Sequence, residues 1–251
     1  MVHFVGAGCG ATDLITLRGK AYLESADVVI YAGSLVNPEL LDFAKPGCAI
    51  YNSAMMTLDE VIAVMEGAER EGKTTVRLHT GDPSIYGAIR EQMDRLEALQ
   101  IPYDVCPGVS SFCGAAASLK TELTLPGVSQ SVILTRVAGR TEVPERESIR
   151  SYAAHGATMV IFLSAGMLTE LKRELLAGGY APQTPAAIVY KASWPDELIL
   201  CGTVETLAEL GERHGITKTA LILVGNCLGD VYALSRLYDA SFSTEYREAK
   251  P

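Results

Sequence analysis

The chain has 251 residues, 48% of them hydrophobic and 20% charged, a globular composition with room for one large domain or two of ordinary size. Its formal net charge of -9 excludes a non-specific nucleic-acid binder, because phosphate neutralisation needs clustered Lys and Arg. The opening MVHFVGAGCG is a short apolar segment broken by glycines with no basic leader, so neither a signal peptide nor a membrane span fits, and a cytoplasmic protein is expected. In chain order, the strand-like run VHFVG is followed by the amphipathic DLITLRGKAYLESA, the strand DVVIY, the segment NPELLDFA and the short strand AIYN. The stretch TLDEVIAVMEGAEREG places Thr57 and Glu60 in capping-box spacing, with Leu58, Ile62, Met65 and Ala68 on or near one helical face. After it come the strand TTVRLH, a glycine turn, a helix predicted through SIYGAIREQMDRLEAL, and the strand PYDVC. Strand-helix-strand units of this length predict a parallel sheet with helices on both faces.

The pattern breaks at SLKTELTLPGVSQ and a second series begins. It runs through the strand SVILTR, the polar loop VAGRTEVPERES, a helix, the strand TMVIFLS, and the helix MLTELKRELLAGG stopping at Gly178 and Gly179. PAAIVYKAS, ELILCGTV, a helix around ETLAELGERH, and TALILVG complete it, with strands close enough together to predict a mixed sheet. The expected organisation is two α/β/α domains, residues 1–118 with a parallel sheet and 119–242 with a mixed one, and a polar tail over 243–251. Cys9, Cys48, Cys106, Cys113, Cys201 and Cys227 form no C-x-x-C pair, which predicts buried thiols in a reducing compartment. The four histidines have no metal-ligand spacing, so no protein-bound metal is expected.

VGAGCGA satisfies G-x-G-x-x-A through Gly6, Gly8 and Ala11, the form of a dinucleotide-binding turn. That reading requires a carboxylate at the end of the second strand, but DVVIY runs out into Ala32, Gly33 and Ser34. Glu24 and Asp27 stand at the wrong end of that strand. The glycines therefore serve another close approach of backbone.

VGAGCGATDLITLRG, HTGDPSIYG at 79–87 and CPGVSS at 106–111 together resemble the tetrapyrrole (uroporphyrin-III/corrin) methylases, across essentially the whole chain. Within that family, YAGSLVNPELL, RLHTGDPSIYGAIREQ and ELTLPGVSQSVILTRVAGR are most similar to the branch that methylates C-11 of precorrin-4 or its cobalt complex in cobalamin synthesis. One departure is visible: Cys9 and Ala11 stand where the family usually has proline and aspartate, which leaves Asp13 as the acid of that segment.

The resemblance implies S-adenosylmethionine folded in an active-site cleft between the two domains, a tetrapyrrole substrate and a homodimer, with no nucleic-acid or membrane partner. It places Cys9, Thr80, Gly81, Asp82, Ile85, Ser110, Ser111, Leu163, Ala192 and Ala220 on the cofactor, Leu163 and Ala220 being equally readable as core. Transfer of a methyl group to a ring carbon needs no covalent nucleophile and mainly needs the reactants held in line with water excluded. Asp82, read as a cap of the following helix, and Tyr86, four residues on along it, are the candidate catalytic side chains; Tyr86 is equally readable as packing. Carboxylates on a tetrapyrrole call for local cations, and Arg binds carboxylate in a bidentate fork. Arg136 and Arg140 lead as substrate ligands, with Arg18, Lys120 and Lys191 behind; solvated surface charge is the other reading of each. Open alternatives are methylation at another corrin carbon, a non-catalytic tetrapyrrole carrier, and an NAD(P)-dependent oxidoreductase.

Overall fold

The computed structural model describes residues 1–249; the last two residues of the polar tail lie outside it. The chain forms two compact units. The first comprises Met1–Ser118 together with Lys191–Leu198, and the second comprises Leu119–Tyr190 and the chain from Ile199 onward. The segment Lys191–Leu198 thus leaves its sequence neighbours, where a single boundary near residue 118 assigns it to the second domain.

The first unit holds β1 (Val2–Gly6), α1 (Leu17–Ser25), β2 (Val28–Tyr31), β3 (Ala49–Asn52), α2 (Leu58–Arg70), β4 (Thr75–His79), α3 (Arg90–Ala98), β5 (Tyr103–Cys106) and most of α4 (Ser111–Leu119). Its five strands lie in the order β3-β2-β4-β1-β5 and every pairing is parallel. All five strands therefore end on the same side, which puts the turns after β1, β4 and β5 next to one another. The capping box is present: Thr57 N donates to Glu60 Oε2 at 2.7 Å and Glu60 N to Thr57 Oγ1 at 3.3 Å. From that start α2 buries Val61, Ile62, Met65 and Ala68 against Phe4, Ile30 and Leu96.

The second unit holds β6 (Val132–Arg136), α5 (Ile149–Ala153), β7 (Thr158–Phe162), α6 (Leu168–Ala177), β8 (Pro185–Tyr190), all but the first residue of β9 (Leu198–Thr203), α7 (Leu207–Arg213) and β10 (Ala220–Val224). The order is β6-β7-β10-β8-β9, with β6 parallel to β7 and β10 antiparallel to both β7 and β8, so the sheet is mixed. Met159, Ile161, Leu171, Leu175, Ile188 and Ile222 are fully buried here.

Two local expectations fail. The helix expected from Ser84 begins only at Arg90, because Tyr86 and Ala88 both take left-handed backbone, φ 56° and 49°, which no α-helix admits. The thiols are not uniformly buried: Cys113 and Cys201 are exposed. Cys201 lies on β9 at the sheet edge, where only Leu200 of the strand is buried.

Candidate active site

Three glycines bring the strand ends of the first unit into backbone contact. A Cβ on Gly6 would stand 2.5 Å from Gly108 Cα and 2.6 Å from the Gly81 carbonyl oxygen. One on Gly108 would fall on that same oxygen and 2.7 Å from Gly6 Cα. Gly8 and Gly81 pair as an isolated bridge, Gly81 N donating to Gly8 O at 2.9 Å, and both have positive φ, 82° and 62°. The turns after β1, β4 and β5 are therefore one continuous backbone surface, which side chains at these positions would prevent.

Asp82 ties this surface together. Its Oδ1 accepts from Ser84 N at 2.9 Å and from the Ser84 hydroxyl, and its Oδ2 accepts from Gly108 N at 2.9 Å. Partial burial opposes ionisation, but the Ser84 hydroxyl and the Gly108 and Ser84 amides outweigh it and hold the carboxyl below the usual carboxylate range. Asp82 caps a turn in place of the expected helix, and it bridges two strand ends. Tyr86 accordingly shares no helix with it: the ring stands 46% exposed on left-handed backbone.

Next to Gly81 in the chain, Thr80 Oγ1 is buried and has no hydrogen-bond partner, and the same holds for His79 Nε2. Burial, and then the nearby Arg77 charge, push the His79 imidazole down to about 3, so it is neutral at ordinary pH. Arg77 is itself buried, its Nε on Gln92 Oε1 at 3.0 Å and its Nη1 on Ile30 O at 3.2 Å.

Ser110 is buried and Ser111 opens α4; both lie beside Gly81, whose Cβ would meet Ser111 N at 3.3 Å and Ser110 Cα at 3.5 Å. Ala192 reaches the same place from the 191–198 segment, its carbonyl oxygen 2.6 Å from where a Gly10 Cβ would be. The Cys9 side chain packs against Gly114 and lies 3.4 Å from Ser193 Oγ, so only its backbone remains to face a ligand. Ile85 N donates to Asp82 O at 3.2 Å, closing the turn. The first unit thus brings together Cys9, Thr80, Gly81, Asp82, Ile85, Ser110, Ser111 and Ala192. The sequence reading missed Gly108, Ser193, Trp194 and Glu197; the only signal for Gly108 is the Pro-Gly pair after β5.

Arg136, Leu163 and Ala220 belong to the second unit, where they share one end of its sheet. Arg136 pairs with Phe162 in the parallel register of β6 and β7, and Leu163 follows directly. The antiparallel register Ala220↔Tyr190 and Ile222↔Ile161 starts β10 at that same end. Leu163 is 61% exposed with φ 53°, so the core reading fails for it. Ser164, fully buried, donates to Phe162 O at 2.7 Å and accepts from Val137 N at 2.9 Å, joining the two loops. Arg136 spends its guanidinium on its own loop, Nη2 to Glu142 O at 2.8 Å and Nη1 to Thr141 O at 3.1 Å. Arg140, Arg18 and Lys120 are exposed, and Lys191 is ion-paired with Asp196 at 2.5 Å.

Among the described residues no group of three or more His, Cys, Asp and Glu is placed to hold a metal, and no helix is long and apolar enough to cross a membrane.

Comparison with known proteins bears directly on this arrangement. A cobalt-precorrin-4 C(11)-methyltransferase of Methanocaldococcus jannaschii is 55% identical over 249 residues, 99% of this chain and 96% of that protein. The crystal structure of a cobalt precorrin-4 methyltransferase superposes with a TM-score of 0.89 at 44% identity, covering 91% of this chain and 96% of the other. A uroporphyrin-III C-methyltransferase from Thermus thermophilus, complexed with S-adenosyl homocysteine, gives 0.76 at 28% identity, covering 91% and 93%. The family model of tetrapyrrole (corrin/porphyrin) methylases matches residues 1–208, a span that contains the joined glycine turns and nearly every candidate above. On its sequence, its two sheets and these turns, the chain belongs to the tetrapyrrole (corrin/porphyrin) methylases.

Proposed function

We propose that this protein is an S-adenosylmethionine-dependent methyltransferase that adds a methyl group to C-11 of precorrin-4, or of its cobalt complex, in cobalamin biosynthesis. The observation that carries the reading is the continuous turn surface of Gly6, Gly8, Gly81 and Gly108, with the unpartnered Thr80 hydroxyl on the residue next to Gly81, in a chain similar over its whole length to C(11)-methyltransferases. The glycine backbone admits a ligand at contact distance, and a buried hydroxyl without a partner gains one when a polar ligand arrives. These residues fit S-adenosylmethionine, which supplies an activated methyl group on a sulfonium. The oxidoreductase alternative has no support, since no acid stands at the end of β2.

Cys9, Gly81, Ser110, Ser111 and Ala192 hold the cofactor through backbone and small side chains, with Thr80 as a hydroxyl contact. Both Asp82 oxygens are occupied, so Asp82 positions the turns and is not a base. Tyr86 presents a ring at the exposed rim of the same turn. The ring substrate supplies the electrons, and the enzyme's contribution is orientation and exclusion of water.

Arg136 braces its loop, leaving Arg140 to meet a substrate carboxylate. Arg140→Ala is expected to raise the KM for the tetrapyrrole about tenfold, with affinity for S-adenosylhomocysteine unchanged in calorimetry. Equal losses for both ligands would reject that assignment.

The protein acts in the cytoplasm as a homodimer. Supporting the pairing, Val231, Tyr232, Leu234, Leu237, Tyr238, Phe242 and Tyr246 are all exposed in one short stretch, a Tyr-rich composition of the kind buried at protein interfaces. Leu234→Glu with Tyr238→Glu should shift the protein to monomer in sedimentation velocity; a dimer unchanged in stability would move the interface elsewhere.

Purified protein offered S-adenosylmethionine and precorrin-4, with and without cobalt, tests the function. Gain of one methyl by mass spectrometry, mapped by NMR to C-11, is expected. Binding of S-adenosylhomocysteine without transfer to either ring would assign the chain to another carbon of the corrin.

A further inference from the structure

The segment Lys191–Leu198 is built against the glycine-rich turn after β1. Ser193 Oγ accepts from Ala11 N at 3.0 Å and lies 3.4 Å from Cys9 Sγ. Ser193 N in turn donates to Glu197 Oε2 at 2.5 Å, and that same oxygen accepts from Ser118 Oγ, near the end of α4, at 2.6 Å. The Trp194 ring lies on Gly10, where a Cβ would collide with it, and Lys191 Nζ stands 5.2 Å above the Trp194 ring centre. The segment is closed by its own turns, Trp194 N to Lys191 O at 3.0 Å and Glu197 N to Trp194 O at 3.1 Å.

Its backbone is unfavourable for the residues it holds. Lys191 and Ser193 have φ of 47° and 66°, the left-handed region that glycine enters freely and other residues enter only when their surroundings hold them there. A serine at residue 193 in place of glycine keeps a hydroxyl in position at a conformational cost. The turn that receives this hydroxyl has unusual need of it. Gly8 and Gly10 both have positive φ, 82° and 159°, and between and after them stand Cys9 and Ala11, neither of which stiffens the backbone as proline does or supplies a side-chain acceptor. The Ser193 oxygen provides the acceptor for Ala11 N, and Asn37 Nδ2 anchors the other side through Gly10 O at 3.0 Å.

We infer that Ser193, oriented by Glu197, is a positioning residue that fixes the Gly8–Ala11 turn in its ligand-binding form, so that the 191–198 segment sets cofactor affinity without itself reacting. This rests on the cofactor reading given above. A purely structural loop closure makes a different prediction, because glycine at residue 193 would relieve the backbone and leave binding alone.

The test is Ser193→Gly, with Glu197→Ala as a second variant, followed by calorimetric titration of S-adenosylhomocysteine, thermal unfolding and steady-state kinetics. Ser193→Gly is expected to unfold at the same temperature or higher, yet to bind S-adenosylhomocysteine about tenfold more weakly, the effect of one hydrogen bond. The KM for S-adenosylmethionine should rise by the same factor while kcat stays within about twofold. Glu197→Ala should weaken binding in the same direction. Affinity of Ser193→Gly within about twofold of the parent would overturn the inference. Failure of the parent protein itself to bind S-adenosylhomocysteine would instead reject the cofactor reading, so the two failures are distinct.

Discussion

Gly108→Ala is expected to lower the stability of the first unit by about 3 kcal/mol or more and to abolish S-adenosylhomocysteine binding. The added methyl group would land on the Gly81 carbonyl oxygen and 2.7 Å from Gly6 Cα. Both obstacles are backbone atoms at the ends of neighbouring parallel strands, so neither can rotate away as a side chain would. Overpacking against side chains typically costs about 1–3 kcal/mol, and a clash with two fixed main chains belongs at the top of that range or above it. In scanning calorimetry this corresponds to a fall of roughly 6–12 °C for a chain of this size. Gly67→Ala supplies the control: Gly67 lies inside α2 with open space where a Cβ would go, and alanine there should stabilise by roughly 0.5–1 kcal/mol. Should Gly108→Ala unfold within a degree of the parent, the joined turns would not be the rigid surface described above.

Asp82→Ala should reduce kcat/KM by about 10–100-fold while the protein stays folded. Removal of the carboxylate leaves Gly108 N and Ser84 N without their acceptors, and hydrogen bonds to a charged group are worth about 1.5–3 kcal/mol. The loss falls on ligand geometry, because Asp82 holds the turn after β4 to the turn after β5. Asp82→Asn should be little better. Both carboxylate oxygens accept from donors, and an amide must direct its NH2 at one of them. The same argument sets the pH dependence. The folded-state pKa of Asp82 is depressed, so its stabilising contribution is present above the ordinary carboxylate pKa near 3.9 and fades as pH falls through the lower folded value. The stability difference between the parent and Asp82→Asn should therefore be constant from about pH 5 upward and shrink in more acidic solution. A difference that grew on acidification would mean that the carboxyl is not held ionised in the fold.

Much of this protein was legible in its residues. Thr57 and Glu60 announce the start of α2 because a capping box is a local device: the chain needs only its own next three residues to form it. Alternating strand and helix runs fix the parallel character of the first sheet, since parallel neighbours require a crossover. The family followed from GAGCGATDL, HTGDPSIYG and CPGVSS, glycine-rich segments whose residues are constrained by close backbone approach. Tertiary structure alone decided the rest. Gly87 between Tyr86 and Ala88 is a local sign of a break, but the left-handed backbone falls on the two flanking residues, whose ordinary side chains do not signal it. Arg136 looked like a substrate ligand, yet its guanidinium folds back on the carbonyls of its own loop. Ser193 and Glu197 escaped notice because their partners Ala11 and Ser118 are distant in the chain, and periodicity carries no information about contacts of that separation. Local propensities and turn chemistry act over a few residues and are written in the sequence. Which distant backbone a hydroxyl or carboxylate meets is decided only when the chain is packed.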